Sequence, residues 1–380
     1  MGKKIVIMLN TAWNLINFRS GLIRSLVSHG YEVVAVAPAD KYVPQIADIG
    51  CKFIPLSMDN NGTHPGRDLM LLWRLFRLIR KERPDVFLGF TVKPNIYGSL
   101  AARVSGVPVI NNVAGLGMVF IKSGWLNWFV RSLYRFAFAR SHKVFFQNED
   151  DRQLFITEKL VYRSVADCLP GSGVDLKKFQ PVPLPTRSPI RFLLVARILW
   201  SKGIGEYVKA ARLLKKYGHK AEVCLLGFQD VQNPDSISVS QMDKWVAEGV
   251  IHYLGVSDNV RKEIARADCI VLPSYYREGT PKTLLEAAAM ARPIITTDSV
   301  GCRDVVDDGV NGFLCRPKDA VSLADNMVRI ITMGRAELES MGLCGREKVE
   351  RDFDEKIVIE KYLSAIEGIY FNSSRHASSL

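Results

Sequence analysis

The residues best equipped for chemistry lie in one run, 272–290, where an apolar stretch gives way to a helix-forming one. It holds two carboxylates, Glu278 just before the helix and Glu286 inside it. Thr280 suits the N-cap and Pro281 the first helical position. The free amides at such a helix start form an anion site. Glu286 stands between Leu285 and Ala287 on an apolar helix, where an unpaired buried carboxylate is costly. Two vicinal hydroxyls of a sugar would supply the donors it needs. A salt bridge to a neighbouring arginine, or a solvated edge, would serve as well. Upstream, Arg197 and Lys202 leave the end of another apolar run together. A planar fork beside a point charge suits a diphosphate, although two solvated surface charges would read the same way.

These residues need elements to hold them. Strand-like runs at 4–9, 32–36, 52–55, 86–90, 107–110 and 144–147 alternate with helical-period segments. That rhythm predicts a parallel sheet covered by helices on both faces. It pauses at residues 171–189, a proline-rich linker. It restarts with runs at 191–196, 222–226, 250–254, 269–272, 294–297 and 312–315, and the chain ends in helical patterns at 320–333, 336–351 and 355–370. The expected class is α/β, with two doubly wound Rossmann-like domains facing across a cleft: 1–180, taking an acceptor, and 181–355, taking a nucleotide sugar. A C-terminal helix, 356–371, is expected to pack back on the first domain, and 372–380 form a polar, disordered tail. Ligands of such sheets bind outside the carboxyl ends of the strands, so function belongs to the loops that follow them.

Composition excludes several classes. In 380 residues, 48% hydrophobic and 24% charged content is ordinary for a globular protein, not a disordered one. The seven cysteines contain no C-x-x-C pair, which argues against a zinc ribbon or a thioredoxin motif. The apolar run after Lys4 is too short for a signal peptide, so a cytoplasmic protein is expected. The net charge of +12 is one-sided, with 24 basic against 13 acidic residues in 1–185 and 27 against 26 in 186–380. A basic first half suggests an anionic partner. The nearest approaches to G-x-G-x-x-G, at 115–120, 171–176 and 203–208, all lack the last glycine, against an oxidoreductase. No nucleic-acid motif accompanies the basic residues.

Arg197…Lys202 followed by Glu278-x7-Glu286, with Pro170-Gly-Ser-Gly173-Val174-Asp175 in the linker, resembles the signature of the retaining nucleotide-sugar glycosyltransferases of family 4, which have the GT-B fold. The resemblance implies that Arg197 and Lys202 bind the donor diphosphate and stabilise the charge growing on leaving UDP. It implies that Glu286 accepts from the ribose hydroxyls, that Glu278, with the backbone of Gly279 and Thr280, touches the donor sugar, and that the amides of Thr280, Pro281 and Lys282 face the phosphates. No metal is expected. Asp352-Phe-Asp354 has a metal-binding spacing but sits in a charged helical region.

Three segments of the first half, Asn17-Phe18-Arg19, residues 90–98 and residues 110–117, are similar to a subgroup that builds bacterial surface polysaccharides such as O-antigen. Those enzymes use UDP-N-acetylhexosamines, such as UDP-N-acetylgalactosamine, and polyprenyl-diphosphate-linked sugars. The resemblance places Asn17 on the nucleotide and Lys93, Asn95, Gly115 and Gly117 on the acceptor. Two departures stand out: the loop at 10–19 lacks the family's Gly-Gly pair, and Ala114 occupies the place of a histidine. The leaving phosphate oxygen can take the acceptor's proton on the same face, so the acceptor-side role is left unassigned. A sugar-nucleotide epimerase or hydrolase of the same fold is the alternative activity.

Two helices account for the basic half. In 67–83 the apolar set Leu69, Leu72, Trp73, Phe76 and Ile79 is surrounded by Arg74, Arg77, Arg80 and Lys81. In 124–140 a stripe of Gly124, Asn127, Arg131 and Arg135 borders Trp125, Trp128, Phe129, Leu133 and Phe136. Such helices suit an anionic membrane surface, here the inner face of the cell membrane. Helices packed on the sheet with their cations in water are the alternative.

Overall fold

The computed structural model describes residues 3–59, 64–116, 125–229 and 233–377. The chain forms two compact units, Met1–Ser172 with Glu355–Leu380, and Gly173–Asp354. The first unit is therefore completed by the end of the chain, and the second lies wholly within it.

Short β-branched runs that are apolar on both faces make buried parallel strands. In the first unit these are β1 (Lys4–Met8), β2 (Glu32–Ala37), β3 (Lys52–Pro55), β4 (Val86–Phe90), β5 (Val109–Val113), β6 (Lys143–Phe146) and β7 (Ala166–Cys168). They are ordered β3-β2-β1-β4-β5-β6-β7, all parallel. The helices are α1 (Ala12–Ser28), α2 (Val43–Ala47), α3 (Pro65–Glu82), α4 (Ser99–Val104), α5 (Trp125–Phe138) and α6 (Glu149–Thr157). α1 starts earlier than its apolar period suggests, because Thr11 caps it by accepting from the Asn14 amide at 3.0 Å.

In the second unit the strands are β8 (Ile190–Val195), β9 (Ala221–Leu226), β10 (His252–Tyr253), β11 (Cys269–Leu272), β12 (Ile294–Thr297) and β13 (Gly312–Cys315), ordered β10-β9-β8-β11-β12-β13 and again parallel. The helices are α7 (Ile204–Lys216), α8 (Val239–Ala247), α9 (Val260–Ala265), α10 (Lys282–Ala289), α11 (Ala320–Thr332) and α12 (Arg335–Asp352). Both sheets are doubly wound, so each unit has a strand-order reversal, between β1 and β4 and between β8 and β11.

The last helix, α13 (Glu355–Ala377), packs in the first unit, where Val358, Tyr362, Ile366 and Ile369 join residues of α1, β1, β4 and β6 in one core. It runs past Tyr370, where the apolar pattern ends, to Ala377, correcting the expected disordered tail; residues 378–380 lie outside the described residues.

Candidate active site

In the second unit, the loops after β8, β11 and β12 meet. Arg197 leaves β8 half-buried and reaches the hydroxyl of Tyr276. Burial pushes the Tyr276 phenol up, with Glu278 adding to the effect and Arg197 opposing it. Lys202 ends a short 3-10 turn, and its Nζ pairs with Oε1 of Glu278, each side chain only 12% exposed. Ser274 Oγ donates to the same Glu278 oxygen at 2.9 Å, and the Lys202 ammonium lies 5.1 Å from the Tyr276 ring centre. The two cations and Glu278 are thus brought together, with Glu278 held by a lysine and a hydroxyl.

Glycines let these loops touch. Gly203 (φ +74°) would drive a Cβ into the Pro273 carbonyl, and Gly301 (φ +80°) into the carbonyl of Gly279. At Gly227 a Cβ would overlap the Ala196 carbonyl, just before Arg197. Ser299 Oγ donates to the Ser274 carbonyl at 3.0 Å, and the amides of Tyr275 and Tyr276 bond the Ser201 carbonyl at 3.0 and 3.1 Å. Neither these glycines nor Ser274 stands out in the sequence, because their reason lies in the neighbouring loop.

The α10 helix begins one residue later than expected. Pro281 is its N-cap, extended at φ −64°, ψ 116°, with no side-chain cap, and Lys282 is the first helical residue. Thr280 is therefore not the cap. Proline also has no N–H, so Pro281 cannot donate to an anion as first assigned; the helix presents its positive end through Lys282 and Thr283.

Glu286 sits part-buried in the middle of this helix, between buried Leu285 and Ala287. Among the described residues it makes no ion pair and its carboxylate accepts no hydrogen bond, so the arginine salt bridge is not formed. Desolvation pushes its pKa up, and Lys282 and Lys178 pull against that.

The first-unit residues are spread more widely. Asn17 lies on α1 with its amide donating to the Trp13 carbonyl at 2.9 Å. Lys93 follows β4 and pairs with Asp68 of α3 at 2.7 Å, largely buried, so its charge is already answered. Asn95 is not at a surface that an acceptor can reach: it is 1% exposed, donating to the Asn112 carbonyl at 2.8 Å and accepting from Asn111 at 3.1 Å. Asn111 also donates to Ser99 at 2.8 Å and accepts from Ser141 at 2.7 Å. The assignment of Asn95 to the acceptor is corrected accordingly; it ties the turn after β4 to β5. Gly115 has φ +104°, which suits glycine alone, in the loop after β5. Gly117 lies outside the described residues.

A family model described as "Glycosyl transferases group 1" matches residues 189–333, and one described as a "Glycosyl transferase 4-like domain" matches residues 18–170. This chain belongs to glycosyltransferase family 4. The transferase is 26% identical over 376 residues to the N,N'-diacetylbacillosaminyl-diphospho-undecaprenol alpha-1,3-N-acetylgalactosaminyltransferase of Campylobacter jejuni, covering 94% of this chain and 97% of that protein. It is 24% identical over 275 residues to the UDP-Gal:alpha-D-GlcNAc-diphosphoundecaprenol alpha-1,3-galactosyltransferase of Escherichia coli, 70% of each chain. Its fold matches Anabaena Alr3699/HepE, solved in complex with UDP, at a TM-score of 0.74 and 14% identity over the full length of both chains. The fold is GT-B, and the relatives favour transfer over the epimerase alternative.

The transferase exposes aromatic and cationic residues together on two helices. On α3, Leu69, Met70 and Trp73 face outward, Arg77 stacks 4.8 Å from the Trp73 ring centre, and Arg80 lies 5.5 Å from that of Phe76. Leu72 and Ile79 turn inward instead, toward the sheet. On α5, Trp128 (71% exposed), Phe129 and Phe136 face outward with Arg135. Arg131 does not join that face as expected, because Glu158 holds it at 2.6 Å. Gly124 lies outside the described residues. Among those residues no helix is long and apolar enough to cross a membrane. None of their His, Cys, Asp and Glu side chains gather in groups of three that could hold a metal. Asp352 pairs with Arg351 at 2.7 Å.

Proposed function

We propose that this glycosyltransferase moves an N-acetylhexosamine, with N-acetylgalactosamine the first candidate, from UDP to a polyprenyl-diphosphate-linked saccharide in bacterial surface-polysaccharide assembly. The C. jejuni and E. coli relatives, named for diphospho-undecaprenol acceptors, support the substrate class. The observation that carries the donor side is Glu286, a desolvated carboxylate with no partner of its own on the helix that opens beside the Lys202–Glu278 pair. Ribose hydroxyls complete it as two donors.

Arg197, Lys202 and the start of α10 then stabilise the leaving diphosphate, so that charge developing on its oxygen meets fixed cations and a helix dipole. With a diphosphate bound, the Lys202 ammonium is shared between it and Glu278, which turns the carboxylate toward the sugar. The bond from C1 to the phosphate oxygen breaks, the acceptor oxygen bonds C1 on the same face, and its proton passes to the departing phosphate oxygen. This retaining course needs no protein base, in keeping with Ala114, which is exposed and carries no titratable group. Two cations carry the charge stabilisation, and the reading invokes no metal.

The outward aromatic and cationic residues of α3 and α5 support docking on the anionic inner face of the cell membrane, where a lipid-linked acceptor resides. Calorimetry with UDP tests the donor side: Glu286→Ala should weaken binding about tenfold or more, by loss of hydrogen bonds to a charged acceptor. Unchanged UDP affinity in a folded variant refutes the assignment. For the membrane side, Arg135→Glu with Trp128→Ser should release the protein from vesicles containing anionic lipid. Retention would show that α5 is not the contact.

A further inference from the structure

The first unit has an open cavity of about 870 Å³ at the amino ends of β4 and β5. Its walls are the end of α3, the residues that lead into those two strands, and Ile369 and Tyr370 of α13. The volume is in the range of small-molecule sites, and none of the donor or acceptor residues described above lines it. Two of its lining residues are exposed arginines, Arg80 and Arg83. Among the described residues neither guanidinium makes an ion pair or a hydrogen bond. Asp85 is the one carboxylate of the lining, and it is engaged by the start of β1, accepting from the Lys4 amide at 2.6 Å. Phe76 and Val104 supply apolar wall, Val104 being 75% exposed.

Arg83 is the telling member. It is the C-cap of α3, at φ +48° and ψ 58°, a left-handed position where glycine is usual and a bulky side chain carries a backbone penalty. The helix does not need its charge, because Arg80 and Lys81 already answer the dipole from the last turn. The cavity also continues a surface. Leu69, Met70 and Trp73 are exposed along α3, Arg77 stacks on Trp73, and Arg80 lies beside Phe76, so a stripe of apolar and cationic groups runs along the helix to the cavity. Two guanidinium forks suit the oxygens of a phosphate, and the exposed apolar groups beside them suit hydrocarbon chains. A free phosphate would engage the first and leave the second in water.

We propose that this cavity binds the headgroup phosphate of an anionic membrane phospholipid, held by Arg80 and Arg83, with the acyl chains against Phe76, Val104 and the outward residues of α3. This deepens the proposed function and rests on its reading of α3 as a membrane-facing helix. Diffuse attraction to a negative leaflet holds a protein near the bilayer, whereas an occupied cavity at one end of α3 fixes how the first unit sits on it.

The test is calorimetry and thermal unfolding of the full-length protein with dihexanoyl phosphatidylglycerol below its micelle concentration. Dihexanoyl phosphatidylcholine, which lacks the net charge, and glycerol 3-phosphate, which lacks the chains, are the comparison ligands, and phosphatidylglycerol should bind more tightly than either. Arg83→Gly should weaken phosphatidylglycerol about tenfold, the lower end for hydrogen bonds to charged groups. The same variant should melt no lower than the wild type without ligand, because glycine suits the left-handed cap. Arg80→Gln should weaken phosphatidylglycerol by a similar factor, and neither variant should change UDP affinity. Unchanged phosphatidylglycerol affinity in the two variants overturns the site, as does a lower melting temperature of Arg83→Gly with unchanged affinity, which makes Arg83 a structural cap. Glycerol 3-phosphate binding as tightly as the lipid overturns the lipid as source, and phosphatidylcholine binding as tightly overturns recognition of the anion. Release of the α5 variant from anionic vesicles, together with no binding of soluble phosphatidylglycerol to the wild type, leaves membrane docking standing and overturns the cavity alone.

Discussion

Gly301 offers a direct test of whether loop-to-loop contact builds the donor site. It sits at φ +80°, and a Cβ there would overlap the carbonyl of Gly279, the residue after Glu278. Gly309 has nearly the same backbone, φ +78°, but open space where its Cβ would be. Alanine at either position carries the left-handed penalty of about 1–2 kcal/mol. Only Gly301→Ala adds the overlap, which forces a backbone shift of the kind that overpacking causes, about 1–3 kcal/mol more. At about 2–4 °C per kcal/mol for a domain of this size, Gly309→Ala should lower the melting temperature by about 2–8 °C and Gly301→Ala by about 4–20 °C, with the Gly301 variant always the lower of the two. The shift of Gly279 also carries Glu278 away from Lys202 and Ser274, so Gly301→Ala should lose UDP affinity and transfer activity while Gly309→Ala keeps both. Differential scanning fluorimetry, UDP calorimetry and an activity assay read all three. Equal melting temperatures and equal UDP affinities in the two variants would refute the reasoning.

Glu286 predicts a pH signature. Its folded pKa is raised, so the fold disfavours the charged form. That cost is absent below the ordinary carboxyl value of 4.5 and grows to its full size as pH rises through the raised value. Glu286→Gln should therefore melt higher than the wild type at neutral pH, by a margin that shrinks toward pH 4; a margin independent of pH would show that the carboxylate is not the cause. Arg292 is fully buried, and its guanidinium donates to the carbonyls of Val182 (2.8 Å), Pro183 (3.0 Å), Ile264 (3.2 Å) and Ala265 (3.0 Å). Burial holds its pKa down to about 10. Arg292→Met strands those acceptors and should cost about 3 kcal/mol or more in thermal or urea unfolding; a neutral result would show that these bonds do not hold the second unit together.

The charged residues of the second-unit loops were legible because charge at a strand's end is conspicuous in an apolar sequence. Arg197, Lys202, Glu278 and Glu286 each interrupt or follow an apolar run, and three of the four lie in one cluster. What escaped depends on partners remote in sequence. Asn111 and Asn112 look like breakers, so β5 was expected to stop at Ile110, yet it continues to Val113. Ser99, Ser141, Asn95 and Gln147 satisfy those amides, in part, from other elements. β7, three residues long, is too short to show a period. Arg131 belonged to a clean stripe on α5, but Glu158, from the end of α6, decides where it points. Gly203, Gly227 and Gly301 look like any loop glycine until the opposing carbonyl is in place.

The first unit closes only when α13 arrives, and that sets an order on synthesis. Residues up to Ser172 leave the ribosome with Phe90 and Phe145 lacking the Tyr362 ring that meets both. The whole second unit must then be translated before the missing helix exists, about ten to forty seconds at roughly 5–20 residues per second. During that interval the second unit can fold by itself while the first waits with an open apolar seam, a nascent-chain state suited to a chaperone. A stop codon after Asp354 would make the wait permanent, leaving a finished second unit tethered to an aggregation-prone first one.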